Sequence, residues 1–204
     1  MEFTFSKRKI VFNRPLSELD RLVLKFVKVL EKQKVEYVII SGYVAILFGR
    51  SRNTEDVDLF IEELDFAKFE SLWNALNESG FECINAENAK EAFEDYLNEK
   101  LAILFAEKGS FEPNFELKFP KSKYNRYSLE NKIEVVLNKE PLMVSELELQ
   151  IAFKLSLGSD KDFEDCRHLF NVFKDYLNMD LLKSHISELR VEKQAERILW
   201  KKPY

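Results

Sequence analysis

The sequence contains little glycine, proline, cysteine or histidine: its 204 residues include five Gly, five Pro, two Cys and two His. Few glycines and prolines indicate long regular elements joined by short turns, and they argue against flexible interdomain linkers. The two cysteines, Cys83 and Cys166, lie too far apart for a metal-binding or redox motif, so we expect reduced, mostly buried thiols. Two histidines are too few for a typical zinc centre.

The sequence also lacks long hydrophobic runs and an excess of basic charge. Its longest apolar stretches, such as Tyr37–Ile40 and Val44–Phe48, fall far short of the roughly 20 residues that cross a bilayer. The charged N-terminus leads into no apolar signal segment, so we expect a cytoplasmic protein with no membrane partner. The 31 basic and 36 acidic residues give a net charge of -5, which argues against nonspecific coating of DNA.

The order of predicted elements indicates an α+β fold with a helical C-terminal part. Apolar residues at helical spacing predict a helix over Leu16–Lys34, and a β-branched run predicts a buried strand at Glu36–Ile40. Further helices are predicted at Tyr43–Phe48, Phe66–Ser79 and Ala89–Glu99, and further strands at Asp56–Ile61, Phe81–Ile84, Leu101–Ala106, Phe115–Phe119, Ile133–Leu137 and Leu142–Val144. From Ser145 the pattern is helical almost throughout. We therefore expect an α+β domain over residues 1–144 and a helical part over residues 145–204 packed on it.

The strongest candidate for chemistry is the pair Asp56 and Asp58 on a predicted strand. Alternate residues of a strand share a face, so the two carboxylates are held side by side, while Val57 and Leu59 point to the other face. Their mutual repulsion is relieved by a bound divalent cation, and hard oxygen ligands suit Mg²⁺. The alternative is that the pair belongs to an ordinary solvated turn.

A second feature precedes this pair. The strand that ends at Ser41-Gly42 turns directly into a helix, where backbone N–H groups favour an anion such as phosphate. The Ser41 hydroxyl is a further donor. In the connecting loop, Arg50 and Arg52 are candidates for neutralising the charge of a triphosphate.

Together these segments, Ser41-Gly42-Tyr43-Val44-Ala45 and Arg52-Asn53-Thr54-Glu55-Asp56-Val57-Asp58-Leu59, resemble the signature of the DNA polymerase beta-type nucleotidyltransferase superfamily. The resemblance implies a nucleotidyltransferase-like mixed sheet flanked by helices. It implies transfer of a nucleoside monophosphate from an NTP, ATP included, to an acceptor hydroxyl with loss of pyrophosphate. It also implies that Asp56, Asp58 and a third carboxylate bind two Mg²⁺ ions, with Mn²⁺ as the alternative, and that Ser41, Gly42, Arg52 and Thr54 bind the nucleotide. The family usually has Gly-Gly or Gly-Ser at the turn, whereas here Tyr43 follows Gly42.

The third carboxylate has two candidates. In Phe115–Phe119 the apolar residues alternate with Glu116 and Lys118, which places Glu116 on the polar face of a strand. Glu116 is the first choice, and Glu134 in the strand Ile133–Leu137 is the second. An exposed strand face without catalytic function explains either residue equally well.

A C-terminal motif resembles the abortive-infection and toxin-like branch of the same superfamily. It comprises Lys154, in Ile151-Ala152-Phe153-Lys154-Leu155, and the segment Lys161-Asp162-Phe163-Glu164-Asp165-Cys166-Arg167-His168-Leu169. The resemblance implies that Lys154 and Lys161 contact the nucleotide and that Asp162 and Asp165 orient them. From the spacing alone, Asp162 and Asp165 share a helix face and equally well pair with nearby basic residues.

The acceptor has no clear sequence signal and is expected to be RNA, protein or a small molecule. One local basic cluster with interleaved tyrosines is suited to an RNA end, although a solvated loop is the favoured interpretation; its members are Lys118, Lys121, Lys123, Tyr124, Arg126, Tyr127 and Lys132. The amphipathic segment Leu181–Trp200, with apolar Ile186, Leu189 and Ile198, predicts core packing, with a homodimer contact as the alternative.

Three other functions compete with an active transferase. The first is a catalytically inactive nucleotidyltransferase fold that acts as a binding or antitoxin-like partner. The second is a metal-dependent phosphohydrolase, but such a site usually includes histidines, and none lies near Asp56 or Asp58 in the sequence. The third is a structural α+β protein whose motifs are accidental.

Overall fold

Buried and half-exposed residues alternate along Asn114–Lys118, as expected for a strand with one face on the core. In the computed structural model, which describes residues 2–200, this strand belongs to one nine-stranded mixed sheet. The strands are β1 (Thr4–Ser6), β2 (Lys9–Phe12), β3 (Tyr37–Ile39), β4 (Asp56–Ile61), β5 (Phe81–Cys83), β6 (Ile103–Glu107), β7 (Asn114–Lys118), β8 (Ile133–Leu137) and β9 (Glu140–Val144).

Helices surround the sheet and make up the C-terminal part. They are α1 (Glu18–Lys32), α2 (Gly42–Leu47), α3 (Phe66–Glu78), α4 (Ala89–Glu91), α5 (Lys123–Glu130), α6 (Leu147–Leu157), α7 (Asp160–Phe173), α8 (Met179–Glu188) and α9 (Glu192–Ala195), with π-helical turns at Ala92–Leu97 and Glu196–Trp200. None of these helices, within residues 2–200, is long and apolar enough to cross a membrane. The α+β fold class predicted from the sequence is confirmed.

The sheet topology brings distant segments together. The strand order is β1-β2-β8-β9-β3-β4-β7-β6-β5, and the pairs β2/β8, β3/β9 and β4/β7 are parallel. In the β4/β7 pair, Asp58 lies directly opposite Glu116, and Phe60 lies opposite Lys118. Because directly opposite residues of neighbouring strands project from the same face, this register gathers charged side chains at the middle of the sheet.

Helix α1 begins with a capping box. The Ser17 hydroxyl accepts a hydrogen bond from the Asp20 backbone N–H at 3.1 Å, and Asp20 accepts one from the Ser17 backbone N–H at 2.7 Å. Asp20 is fully buried, where it also accepts two hydrogen bonds from Arg14, at 2.5 and 2.8 Å, and one from Tyr43 at 2.8 Å. Since Tyr43 belongs to α2, this carboxylate ties the start of α1 to the helix that follows β3.

Two N-terminal strands and one helix differ from the sequence predictions. Strands β1 and β2 are not predicted, because three or four residues are too few to show a clear alternation. The predicted loop that carries the basic cluster contains α5, whose Ser122 forms a capping box with Asn125. That Ser-x-x-Asn spacing is the signal that identifies the helix start.

The other predicted helices form with altered ends. The predicted helix Ala89–Glu99 is α-helical only over Ala89–Glu91 and continues as a π-helical turn. The predicted segment Leu181–Trp200 is interrupted after α8, where Arg190 adopts φ 58°. Its residues Ile186 and Ile198 are buried, at 2% and 8% exposure, which is core packing within the chain. A homodimer contact stays a prediction.

Both cysteines are free thiols, as the sequence predicts. Cys83 is half-buried and Cys166 is buried, and burial raises the pKa of Cys166 to about 12.

Strand β9 ends at Val144, after which only helices follow within the described range. The division of the chain at that point stays a prediction, and Met1 and residues 201–204 lie outside the described residues.

Candidate functional site

Asp56 and Asp58 lie on β4 as the sequence predicts. Both are half-buried, whereas Val57 and Leu59 between and after them are completely buried. The alternation therefore places both carboxylates on one face of the sheet. Thr54, in the preceding loop, donates a hydrogen bond from its hydroxyl to Asp56 Oδ1 at 3.1 Å.

Of the two candidates for the third carboxylate, only Glu116 is next to Asp58. The two residues are directly paired across the parallel strands β4 and β7. Glu134 lies on β8, three strands away from β4 in the sheet, and forms an ion pair with Lys9 at 2.8 Å. With neighbouring strands about 4.8 Å apart, Glu134 belongs to a different part of the surface.

The space between Asp58 and Glu116 is occupied by a lysine of the same strand as Glu116. The Lys118 ammonium lies 2.8 Å from Asp58 Oδ1 and 2.5 Å from Glu116 Oε2. Burial alone lowers the pKa of Lys118, but the charges and hydrogen bonds of Asp58 and Glu116 outweigh burial, so the pKa is raised overall. Two carboxylates that lie side by side on neighbouring strands repel each other, and the Lys118 ammonium reduces this repulsion.

The oxygen donors of this cluster have the chemistry that Mg²⁺ prefers. Asp56 and Asp58 are both acidic, half-buried and on one face, so their donor set fits a divalent ion. Within residues 2–200, however, no three Asp, Glu, His or Cys side chains form a ready-made metal cluster. Glu116 shares Lys118 with Asp58 instead of standing free beside both aspartates.

The turn after β3 is held in an unusual conformation. Ser41 adopts φ 63° and ψ −132°, a region that non-glycine residues rarely occupy. Gln150 of α6 holds this turn from the other side: its Nε2 donates to Ser41 O at 2.8 Å, and its Oε1 accepts from Ser41 N at 3.3 Å. The helical part of the chain therefore stabilises the backbone of the predicted phosphate turn.

Arg52 packs directly on Gly42, so a side chain at position 42 fits only if the guanidinium moves. A Cβ atom at position 42 would lie 2.2 Å from Arg52 Nη2 and 3.2 Å from its Cζ. The Arg52 side chain is only 11% exposed, and its Nη2 forms an ion pair with Asp165 at 3.1 Å. The predicted turn and the predicted arginine loop are thus in contact.

Replacing Gly42 with alanine is expected to push Arg52 away from Asp165 and to destabilise the fold by about 1–3 kcal/mol, the usual cost of overpacking. Chemical denaturation of the purified variant measures this cost. In an Arg52→Ala background the added methyl group meets no guanidinium, so the Gly42→Ala substitution should cost much less. An equal cost in both backgrounds would mean that Arg52 is not the group that excludes a side chain at position 42.

Asp165 organises the basic residues that flank the site. It is fully buried on α7, and its carboxylate lies 3.1 Å from Arg52 Nη2, 2.9 Å from Lys154 Nζ and 3.6 Å from Arg50 Nε. Arg50 also pairs with Glu164. One carboxylate therefore holds cations from both the N-terminal and the C-terminal motif.

Lys154 is buried at 2% exposure and has a second partner, Asp162, at 2.9 Å. Burial raises the pKa of Asp162, but hydrogen bonds from Ser159 and Lys154 outweigh it and hold that pKa below its ordinary value. Lys161 is exposed on α7 and takes part in none of the ion pairs formed within residues 2–200. The structure thus joins Lys154, Asp162 and Asp165 and leaves Lys161 apart.

A cavity of about 290 Å³ opens beside Asp58. Its polar lining comes from the turn, the sheet and two helices, and its apolar lining comes mainly from α6. The lining residues are Ile40, Ser41, Asp58, Phe60, Asn125, Ser128, Ser145, Leu149, Gln150, Phe153, Lys154 and Leu157. A carboxylate and a buried lysine thus line the same largely apolar pocket, which is the character of a small-molecule site.

Sequence reasoning missed several residues of this site. The sequence pattern places Lys118 beside Glu116 and in the basic cluster, but its position between two carboxylates depends on the β4/β7 register. Gln150 was not singled out, although a polar residue among the apolar positions of α6 is a usable signal. Phe60 and Phe153 look like ordinary core residues in the sequence.

No protein-family model matches the sequence, and no curated protein matches it. The structure is nevertheless similar to several solved nucleotidyltransferases. An antigenic nucleotidyltransferase-like protein from Paracoccidioides brasiliensis is 18% identical, with a TM-score of 0.53 over 91% of this chain and 94% of that chain. The complex of ANT(2'')-Ia with adenylyl-2''-tobramycin is 13% identical, with a TM-score of 0.57 over 85% of this chain and 98% of that chain. The lincomycin-bound lincosamide antibiotic adenylyltransferase LnuA is 13% identical, with a TM-score of 0.50 over 78% of this chain and 99% of that chain. The chain therefore has the fold of the nucleotidyltransferases.

Proposed function

We propose that the chain is a nucleotidyltransferase that moves a nucleoside monophosphate from an NTP to the hydroxyl of an acceptor. The observation that carries the proposal is that Asp58, which is paired in register with Glu116, and the buried Lys154 line the same cavity. Nucleotidyl transfer needs aligned reactants and compensation of phosphate charge rather than a covalent intermediate on the protein. The nucleotidyltransferase fold supports the same conclusion.

The carboxylates form the catalytic end of the proposed site. Asp56 and Asp58 would hold Mg²⁺, or Mn²⁺ in its place, and Glu116 is the third carboxylate of the set. A bound divalent ion supplies charge compensation at the phosphate oxygens. Asp58 is partly exposed in the cavity, where it can also orient the attacking hydroxyl.

The nucleotide would extend from the turn toward α6. Ser41 and Lys154 line the cavity beside Asp58, so they are proposed to contact the phosphates. Gly42, Arg52 and Thr54 support that end of the site: Arg52 packs on Gly42, and Thr54 holds Asp56.

Asp162 and Asp165 are proposed to position Lys154 and Arg52 for the phosphates, since both carboxylates are already paired with these cations. Lys161, exposed at the start of α7, is proposed to reach the nucleotide from outside the cavity. The apolar side chains of Phe60 and Phe153 would contact the base. Assignment to the abortive-infection and toxin-like branch rests on this C-terminal motif alone and stays a proposal.

A small hydroxyl-bearing molecule is the acceptor that we propose first. The structural neighbours include proteins whose names specify adenylyl transfer to antibiotics, and ATP is accordingly the donor to test first. Three cations of the basic cluster are paired with acidic residues, which favours a small molecule over RNA as the acceptor: Lys118 with Asp58 and Glu116, Lys123 with Glu188, and Lys132 with Glu36. RNA and protein acceptors are the alternatives.

One observation favours a second candidate, a catalytically inactive fold that acts as a binding or antitoxin-like partner. The Lys118 ammonium already neutralises negative charge of Asp58 and Glu116, as expected of a site that no longer binds a metal ion. Such a protein would keep the cavity and lose the dependence of nucleotide binding on a divalent cation.

Calorimetric titration with ATP, GTP, CTP and UTP, each with and without Mg²⁺, tests the proposal. We expect the wild type to bind at least one triphosphate in the presence of Mg²⁺. The double variant Asp56→Ala/Asp58→Ala should lose this Mg²⁺-dependent binding, because both proposed ligands are gone.

The matched control is Glu134→Gln, which removes a carboxylate from a strand outside the site. It should bind the same triphosphate as tightly as the wild type. If the wild type binds no triphosphate with Mg²⁺ present, the transferase proposal is wrong. Equal binding with and without Mg²⁺ supports the inactive fold.

A further inference from the structure

The position of Lys118 conflicts with a site built from three free carboxylates. Lys118 follows Glu116 by two residues on β7, so the two side chains share a face, and the parallel register sets Asp58 beside them. The ammonium contacts both carboxylates, at 2.8 Å to Asp58 and 2.5 Å to Glu116. The contact is made at the middle of the sheet by side chains that are 16–28% exposed.

The ion pair has the character of a built-in counterion rather than a surface salt bridge. Surface pairs between long side chains contribute little because water screens them and both side chains lose freedom. Here the sheet holds all three groups in register, and a single ammonium serves two carboxylates that would otherwise face each other unpaired. A lysine with three donors is suited to bridging two such acceptors.

The same geometry limits how many divalent ions the cluster can hold. A second ion bound between Asp58 and Glu116 would have to share their oxygens with the ammonium and would be repelled by it. Asp56 has no such competitor in the described part of the chain, where its side chain accepts a hydrogen bond from Thr54. The cluster is therefore asymmetric: Lys118 contacts Asp58 and Glu116, whereas no lysine contacts Asp56 in the described part of the chain.

We propose that Lys118 stands in for one of the two metal ions, so that the site binds a single divalent ion through Asp56 and Asp58, while Glu116 positions Lys118. This inference rests on the proposed function and revises the two-metal expectation that the family resemblance implies. Lys118 is then a fixed cation of the phosphate site, and Glu116 is a positioning residue instead of a metal ligand.

Counting bound Mn²⁺ tests the proposal without any measurement of turnover. The protein is titrated with Mn²⁺ in the presence of a saturating non-hydrolysable ATP analogue, and free Mn²⁺ is measured by electron paramagnetic resonance. We expect one Mn²⁺ per bound nucleotide in the wild type and two in Lys118→Met, which removes the charge but keeps the length of the side chain. Lys118→Arg, which keeps the charge, should bind one.

The matched control is Lys132→Met, because Lys132 also pairs with a glutamate, Glu36, at 2.7 Å and is similarly exposed. It should bind one Mn²⁺. Two ions in the wild type, or one ion in Lys118→Met, would overturn the proposal.

A second variant keeps the test valid if Lys118→Met does not fold. Glu116→Gln should still bind one Mn²⁺, since Glu116 is not a ligand in this arrangement, and loss of that ion would overturn the proposal. Failure of the proposed function gives a different result: neither the wild type nor any variant binds the nucleotide analogue. In that case the inference fails together with the function.

Discussion

An Asp165→Asn variant is expected to lose about 3–5 kcal/mol of unfolding free energy, the cost of breaking a buried ion pair from one side. Asp165 is fully buried, and its carboxylate faces Arg52, Lys154 and Arg50. Lys154 is itself 2% exposed, so without the negative charge it remains buried beside Asp162 alone. Because domains are typically stable by about 5–15 kcal/mol, this loss is a large fraction of the total.

Urea unfolding followed by circular dichroism measures this effect. Asp160→Asn is the matched control, because Asp160 lies on the same helix and is exposed; its replacement should cost well under 1 kcal/mol, as expected for a charge in the first turn of a helix. If Asp165→Asn were no more destabilising than Asp160→Asn, the buried cluster would contribute nothing to the contact between α7 and the arginine loop.

The same variant should also weaken binding of the triphosphate, since Lys154 and Arg52 lose the carboxylate that positions both. A variant that retains full stability but binds nucleotide poorly would identify Asp165 as a positioning residue only. A variant that is unstable but binds normally when folded would identify the cluster as purely structural.

Asp20→Asn is expected to cost about 3 kcal/mol for a related reason. Asp20 is fully buried, accepts two hydrogen bonds from Arg14 and one from Tyr43, and closes the capping box of α1 with Ser17. Asparagine keeps one acceptor oxygen but leaves Arg14 without its counterion. The substitution therefore weakens the contact that links the start of α1 to Tyr43 of α2.

The contribution of Asp20 is also expected to depend on pH. Burial raises the pKa of Asp20, but hydrogen bonds from Arg14, Ser17 and Tyr43 outweigh it, so the folded protein holds this pKa below the ordinary value of 3.8. A depressed carboxylate pKa stabilises the fold fully above the unfolded-state pKa, and this stability is lost as the pH falls through the folded-state value. The wild type should therefore lose more stability than Asp20→Asn when the pH is lowered from about 5 to about 3.

Urea unfolding at these two pH values and at neutral pH measures the difference. Glu18→Gln is the matched control, because Glu18 lies in the same first turn of α1 and is exposed. It should change stability by less than about 1 kcal/mol at neutral pH, as expected for a charge near a helix terminus. If the stability gap between the wild type and Asp20→Asn did not narrow in acid, the charge of Asp20 would not be the stabilising feature.

The amino-acid sequence by itself determined the features that depend on neighbouring residues. The strand containing Asp56 and Asp58 has the predicted bounds, and the alternation along it places both carboxylates on one face. Helix α1 follows the predicted apolar spacing and is capped by Ser17. These properties are local, because the pleat of a strand, the turn of a helix and a cap each involve residues only a few positions apart.

Only the tertiary structure decided which distant residues meet. The sequence left Glu116 and Glu134 as alternatives, and the parallel pairing of β4 with β7 selected Glu116 as the partner of Asp58. It also brought Lys118 to Asp58 across 60 sequence positions, and the packing of α6 brought Gln150 to Ser41 across 109. Strand register and helix packing are set by the burial of the whole core, so no local pattern around any one of these residues encodes the contact.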